Sequence, residues 1–372
     1  MKRENLPIFL FALSLSLLAA ACTSETPSIV FSANYPEGYE PTTDESTSSS
    51  IHNVTPTTHP DLFEEWDDFT EDFGANGATT WDTSKWAAYD DNTFAAWTFY
   101  DENVSIGSDE DGENPEGGEY LRVTTKYDYH TRTNSSYQFC FSSGILRSLE
   151  PVTYGYYEAR IKGSDVWPGT CSAFWLYSIV DKDSILPREV GTIVYNEIDI
   201  IELQQIASKQ NSMASNIHLM YLADSGTVDG NGDMILENTW AKASSMPTLA
   251  QTHYDVDWYA DDDFHIYGCE NRPDSIVFYL DNVRVGGKKN SYWHMDEGMY
   301  ITFSQGLRTP FENYGDDGGT RQPTATTEDE AIAAGFPTSM YVDYIKSYRR
   351  KADHEYSAFR NNEKAFDVND VY

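Results

Sequence analysis

Apolar and polar residues alternate over short stretches through most of this chain. Tyr120 opens YLRVTTKYDY, Tyr156 opens YYEARIK, and IVYNEIDIIEL, SIVFYLDNVRV and SMYVDYIKSYR repeat the habit. A period of two carried by β-branched and aromatic residues predicts strands. Polar turn signals lie between them, including SDEDGENPEGG and DGNGD. No long run has helical periodicity with caps, and EDEAIAAG near residue 330 predicts only one or two helical turns. Strands do not alternate with helices, so an all-β sandwich of two sheets is expected rather than a doubly wound or α/β-barrel arrangement.

The two ends break this pattern. Lys2 and Arg3 precede IFLFALSLSLLAAA, which stops at Cys22. That reads as a signal peptide over residues 1–21, too short and wrongly flanked for a stable membrane span. Ala19, Ala20 and Ala21 directly before Cys22 match a lipoprotein processing site, and diacylation of Cys22 would tether the chain to a membrane. The alternative is ordinary cleavage beside an incidental cysteine. The expectation is an exported chain: a cell-surface or outer-membrane lipoprotein touching the membrane through its lipid anchor only, or otherwise a secreted protein. Residues 22–60, rich in Ser, Thr, Pro and Glu, predict a flexible linker. One catalytic domain is expected over residues 61–350, followed by a polar tail over 351–372.

Composition narrows the partners. With 26 Tyr, 18 Phe and 9 Trp the chain has ample material for a sheet core, with some rings left for stacking on sugars. Its net charge of −35 argues against a nucleic-acid partner, because phosphate binding relies on cationic neutralisation. The same charge favours a soluble monomer, and a polyanionic substrate would need a local basic patch. Cys140, Cys171 and Cys269 have no zinc-type spacing, so no metal or cofactor is expected. Export permits one disulfide with one thiol left over, the pairing open.

The candidate chemistry sits in Glu197-Ile198-Asp199-Ile200-Ile201-Glu202. On a regular strand Glu197 and Asp199 share a face and Glu202 points to the other. One bulge within Ile200-Ile201 returns Glu202 to the acidic face. Like charges brought together raise one another's proton affinity, and so keep one carboxyl protonated for general acid catalysis. A nucleophile and an acid/base carried by two glutamates is the arrangement of a retaining glycosidase. A solvated acidic stripe and a calcium site are the competing readings; the isoleucines favour a central strand, and no Gly-containing calcium loop surrounds the trio.

At these residues the chain resembles glycoside hydrolase family 16, whose catalytic strand carries E-x-D-x-x-E, here EIDIIE. SSGILRS, YGYYEARIKGSDVWPGTCSAFWLYS, YNEIDIIELQQ, NSYWH, ITFSQGLRTPF and GFPTSMYVDYIKSY follow in the family's order over residues 81–350. Within the family it is most similar to the kappa-carrageenases. The resemblance implies a β-jelly-roll sandwich of two antiparallel sheets with a concave cleft for a sulfated galactan. It implies Glu197 as nucleophile, Asp199 as its assistant and Glu202 as acid/base, and no cofactor; a structural calcium has no ligand set here. Trp175 matches the family's cleft tryptophan and His218 a histidine that would orient Glu202 or touch a sugar. Arg308 matches an arginine implied to bind substrate sulfate, with an ion pair to a carboxylate as the alternative, and Gln305 beside it would bind sugar hydroxyls. Trp293, with His294, Trp97 and Trp167 are further candidates for lining the cleft. The segments 178–195 and 220–240, and the acidic stretch after Arg308, depart from the carrageenase pattern and leave the sulfation pattern open. Furcellaran, agarose and porphyran remain alternative substrates, and a glycan-binding lipoprotein without catalysis is the reading from another class.

Overall fold

Two antiparallel sheets face one another across an apolar core in the structure, a computed structural model. It describes residues 54–91, 96–109, 118–133, 135–179, 181, 184–186, 188–242, 251–272, 275–289, 298–314 and 321–352. The signal peptide, Cys22, Trp293 and His294, residues 110–117 and the tail beyond residue 352 lie outside these.

The sheet that carries the site contains β1 (Trp86–Ala88), β2 (Ile145–Ser148), β3 (Thr170–Tyr177), β4 (Ile193–Leu203), β5 (Ser212–Val228), β6 (Met234–Ala241), β7 (Gln251–Asp255) and β8 (Tyr300–Leu307). Its spatial order is β6-β5-β4-β3-β8-β2-β1, with β7 paired to β5. The opposing sheet runs from Val283–Lys289 through Ser275–Leu280, His265–Asn271, Gly155–Lys162, Thr338–Arg350, Glu119–Thr131 and Gln138–Ser143 to Thr98–Phe99. Only the last of these pairings is parallel.

Period-two alternation sets which residues fill the layer between the sheets. Ser172, Phe174 and Leu176 of β3 and Ile301, Phe303 and Leu307 of β8 point inward, with the Phe174 and Phe303 rings stacked at 5.0 Å. Phe73, Trp86, Leu121, Val123, Tyr157, Ile161, Ile198 and Ile201 complete the cluster. Cys171, Ala173, Trp175 and Tyr177, and Thr302, Ser304 and Gly306, therefore turn to the open face.

Three expectations are corrected. SIVFYLDNVRV is not one strand: Asp281 and Asn282 adopt positive φ and fold it into a hairpin between Ser275–Leu280 and Val283–Lys289. The linker ends earlier than residue 60, because Val54 and Leu62 are buried against Phe63, Tyr156 and Val277, and Thr55 Oγ1 donates to Asn282. All three core-domain cysteines are free and buried, so there is no disulfide among them. The helical turns stand as α1 (Glu328–Ala334), where Thr327 and Glu330 form a reciprocal capping box and Gly335 ends the helix at φ 107°.

Candidate active site

The acidic strand carries the bulge its sequence calls for. Across β3–β4 the register runs Trp175 to Asp199 and then Phe174 to Ile201, leaving Ile200 unopposed. The β4–β5 register shifts over the same interval. Ile198, Ile200 and Ile201 all lie in the core, so the extra residue costs the apolar face nothing while rotating Glu202 outward. Glu197, Asp199 and Glu202 thus stand on the open face, each held by different partners.

Tyr195, two residues before Glu197 on the same face, donates its hydroxyl to Glu197 Oε2. His218 lies directly opposite Glu197 in register, yet its Nε2 is closest to Asp199, 3.0 Å from Oδ2 and 3.7 Å from Glu197 Oε1. Its neighbours are therefore Glu197 and Asp199, and the expectation that it orients Glu202 is replaced. Glu202 accepts from Asn216 Nδ2 at 2.6 Å and from Arg308 Nη2 at 2.8 Å, with the Cys171 thiol 3.9 Å from Oε1. Arg308 Nε in turn donates to Gln205 Oε1 and Nη1 to the Leu307 carbonyl at 2.8 Å, so the ion pair with a carboxylate, the alternative expected for this arginine, is the arrangement the structure shows.

The electrostatics follow from this packing. Burial, reinforced by the charges of Glu202 and Glu197, pushes the Asp199 carboxyl up to about 8. Burial opposes the His218 cation, but Glu197, the hydrogen bond to Asp199 and Glu202 outweigh it and raise that group to about 10. Burial and the Glu197 charge also keep Tyr195 protonated. Asp199 is thereby suited to hold a proton beside Glu197 rather than to add a third charge. Glu197, Asp199 and His218 offer ligand atoms within 4.8 Å of one another, close enough to hold a cation. The hydrogen-bonding roles above use those same atoms.

The remaining candidates divide. Trp175 opposes Asp199 across the strands, half-buried, with Nε1 donating to Ser304 Oγ at 3.0 Å and its ring stacked on Tyr177 at 4.4 Å. That leaves an aromatic face beside the carboxylates. Trp167 sits in the turn before β3, partly exposed, with Nε1 bonded to the Ile206 carbonyl at 3.3 Å. Trp97 covers Gly306 on the open face but is only 4% exposed, packed edge-on against Phe99, so its ring offers a sugar almost no surface. Gln305 is a correction: it lies in phase with Phe303 and Leu307, fully buried, its amide donating to the Thr338 carbonyl of the opposing sheet at 3.4 Å. It faces the core and has no access to a sugar.

Sequence reasoning passed over Tyr195, Gln205, Asn216 and Trp240. Tyr195 was legible, being in phase with Glu197. Trp240 of β6 meets Tyr195 edge-on at 5.3 Å and marks the far side of Glu197 from Trp175, a placement that depends on strand order.

Comparison with known proteins decides the family. The beta-porphyranase A–D, glycoside hydrolase family 16 domain matches residues 63–350. The chain belongs to glycoside hydrolase family 16. It is 32% identical over 288 residues to a kappa-carrageenase of Pseudoalteromonas carrageenovora, a match spanning 75% of this chain and 63% of that protein. The chain thus spans less than two thirds of that relative's length. The crystal structure of that organism's enzyme with an oligotetrasaccharide of kappa-carrageenan is similar at 30% identity and a TM-score of 0.62, over 77% of this chain and 95% of that one. A kappa-carrageenase structure from Zobellia galactanivorans gives 29% identity and a TM-score of 0.60, covering 78% and 96%. The two-sheet jelly-roll sandwich expected from the family 16 resemblance is the fold observed.

Proposed function

We propose that this chain is an endo-acting, retaining glycoside hydrolase of a sulfated galactan, cutting the internal β-1,4 galactosidic bonds of kappa-carrageenan. The observation that carries the reading is the bulged strand, which sets Glu197 and Glu202 on one face with separate hydrogen-bond partners. Glu197, placed by Tyr195, attacks the anomeric carbon. Glu202 gives its proton to the departing glycosidic oxygen, and the resulting glycosyl-enzyme is opened by water that Glu202 then deprotonates. Asp199, holding a proton beside Glu197, limits the charge that accumulates before attack. Trp175 supplies an apolar floor to the C–H face of a sugar ring.

Arg308 is the residue through which this reading takes an anionic substrate. Its guanidinium already donates to Gln205, the Leu307 carbonyl and Glu202, so a sulfate ester binds it by competing for those donors beside Glu202, and matches the planar fork better than a neutral hydroxyl does. A porphyranase is the second reading, favoured by the family description that matches residues 63–350. We also keep the exported form anchored through Cys22 as part of this proposal; metabolic labelling with palmitate, lost in C22S, tests it.

Incubation with kappa-carrageenan, furcellaran, porphyran, agarose and laminarin, followed as new reducing ends, separates these readings. Rapid loss of viscosity is expected with kappa-carrageenan and none with laminarin. Equal cleavage of laminarin would remove the sulfate argument. Proton NMR at early times should show β-configured product; an initial α product contradicts double displacement.

A further inference from the structure

A second arginine stands on the same face without a counter-charge among the described residues. Arg147 of β2 lies opposite Thr302 of β8, which lies opposite Trp175 of β3, which lies opposite Asp199 of β4. The four residues form one row across the sheet, and three strand spacings put Arg147 roughly 14 Å from Asp199 along it. Its Nη1 donates to Tyr89 Oη at 3.1 Å and Tyr177 Oη at 3.0 Å, and those two hydroxyls are themselves 3.1 Å apart. The guanidinium carbon sits 4.4 Å from the Tyr89 ring centre and 5.1 Å from that of Tyr300. Among the described residues, Nε and Nη2 have no hydrogen-bond partner and no carboxylate lies within ion-pair distance.

This arrangement is unusual for the chain that contains it. With 60 Asp and Glu available, the ordinary partner for a half-buried guanidinium is a carboxylate, as at Arg160, Arg272, Arg321 and Arg350. Partly desolvating a permanent cation without a counter-charge is costly. Three phenols hold this one in place by hydrogen bonds and ring faces, which fix its direction but supply no net charge. The unused edge of the fork is then available to an anion, and the phenolic O–H groups can donate to the same oxygens.

We propose that Arg147, framed by Tyr89, Tyr177 and Tyr300, is a second anion-recognition site of this cleft, taking a sulfate ester of a galactan residue on the Trp175 side of the reaction centre. The inference rests on the sulfated-galactan reading above. It adds a requirement that reading lacks: two sulfates on one bound chain are read at once, one by Arg308 beside Glu202 and one by Arg147. Spacing between sulfates, not charge alone, then selects the polymer.

The test measures KM, kcat and their dependence on sodium chloride for the wild type and R147Q on whichever of kappa-carrageenan, furcellaran and porphyran the wild type cuts. R147Q should raise KM by about tenfold or more, the worth of a charge-assisted hydrogen-bond pair, with kcat little changed. The slope of log KM against log salt should fall by about one, a change that loss of a purely structural contact would not produce. Equal KM and equal slope overturn the site while leaving the sulfated-galactan reading intact. A wild type inert on all three polymers overturns both. Thermal unfolding checks that R147Q folds; if it does not, R147K keeps the charge but loses the fork, and its KM should still rise severalfold, unchanged KM counting against the proposal.

Discussion

Arg308 and Glu202 form an ion pair on the open face, Nη2 2.8 Å from Oε1, with both side chains about one-tenth exposed. Removing one partner of so enclosed a pair leaves the other charge uncompensated, a larger loss than the pair's own net worth. R308M should therefore lower stability by up to about 3 kcal/mol. The double variant R308M/E202Q should recover much of that loss, since the coupling belongs to the pair. Thermal unfolding of the four proteins in the cycle checks this, and additive losses would show that the contact carries no energy.

Turnover separates the two glutamates from their surroundings. E197Q removes a carboxylate from a crowded acidic face and should unfold no earlier than the wild type, whereas E202Q leaves Arg308 without its counter-charge and should lose stability as R308M does. Reducing-end release should nevertheless fall by about a thousandfold or more in each, as expected for groups acting together in one displacement. Near-normal turnover in E197Q would reject the nucleophile assignment.

Much of this was legible in the chain. Alternation in YYEARIK and SMYVDYIKSYR predicts the sheets, and EIDIIE contains its own bulge, because two adjacent isoleucines cannot both face the core without one. Gln305 was misread although its signal was present: Ile301 and Phe303 set the inward phase of β8, and Gln305 falls two residues further on. The hairpin at Asp281-Asn282 was missed because an Asp-Asn turn inside an apolar run carries no glycine. Asn216, Trp240 and Arg147 were out of reach for a different reason. Their roles depend on which residue lies opposite which across strands distant in sequence, and alternation fixes the face of a residue but not its neighbour.

Asp199 makes stability depend on pH in an uncommon direction. Its carboxyl is held up to about 8 against an ordinary 3.8, so the folded chain binds the proton that the unfolded chain releases. Between roughly pH 4 and 8 the Asp199 contribution to stability should fall as pH rises. His218 acts in the same sense: the Glu197 charge is foremost in raising it above 6.5, so stability should go on falling as pH climbs further and that cation is lost. D199N removes the first of these. Its melting temperature relative to wild type should climb from pH 4 to pH 8, and a constant difference would mean that Asp199 is ionised in the folded protein throughout.

Gly306 offers a test of how tightly the Arg308 end of the cleft is fitted. It lies opposite Cys171, on the outward phase of β8, beneath Trp97. A Cβ there would come 2.9 Å from Trp97 Cζ2, closer than carbon tolerates, and 3.1 Å from Arg308 Nη1, a tight contact that a small shift of the guanidinium relieves. Trp97 is packed against Phe99, so part of the strain passes to Arg308, which donates to Glu202, Gln205 and the Leu307 carbonyl. G306A should cost about 1–3 kcal/mol by overpacking. It should also lower kcat on the sulfated polymer more than R147Q does, because the displaced guanidinium touches the acid/base itself. Should G306A melt and turn over like the wild type, Trp97 has room to move, and the Arg308–Glu202 contact is not held by that wall.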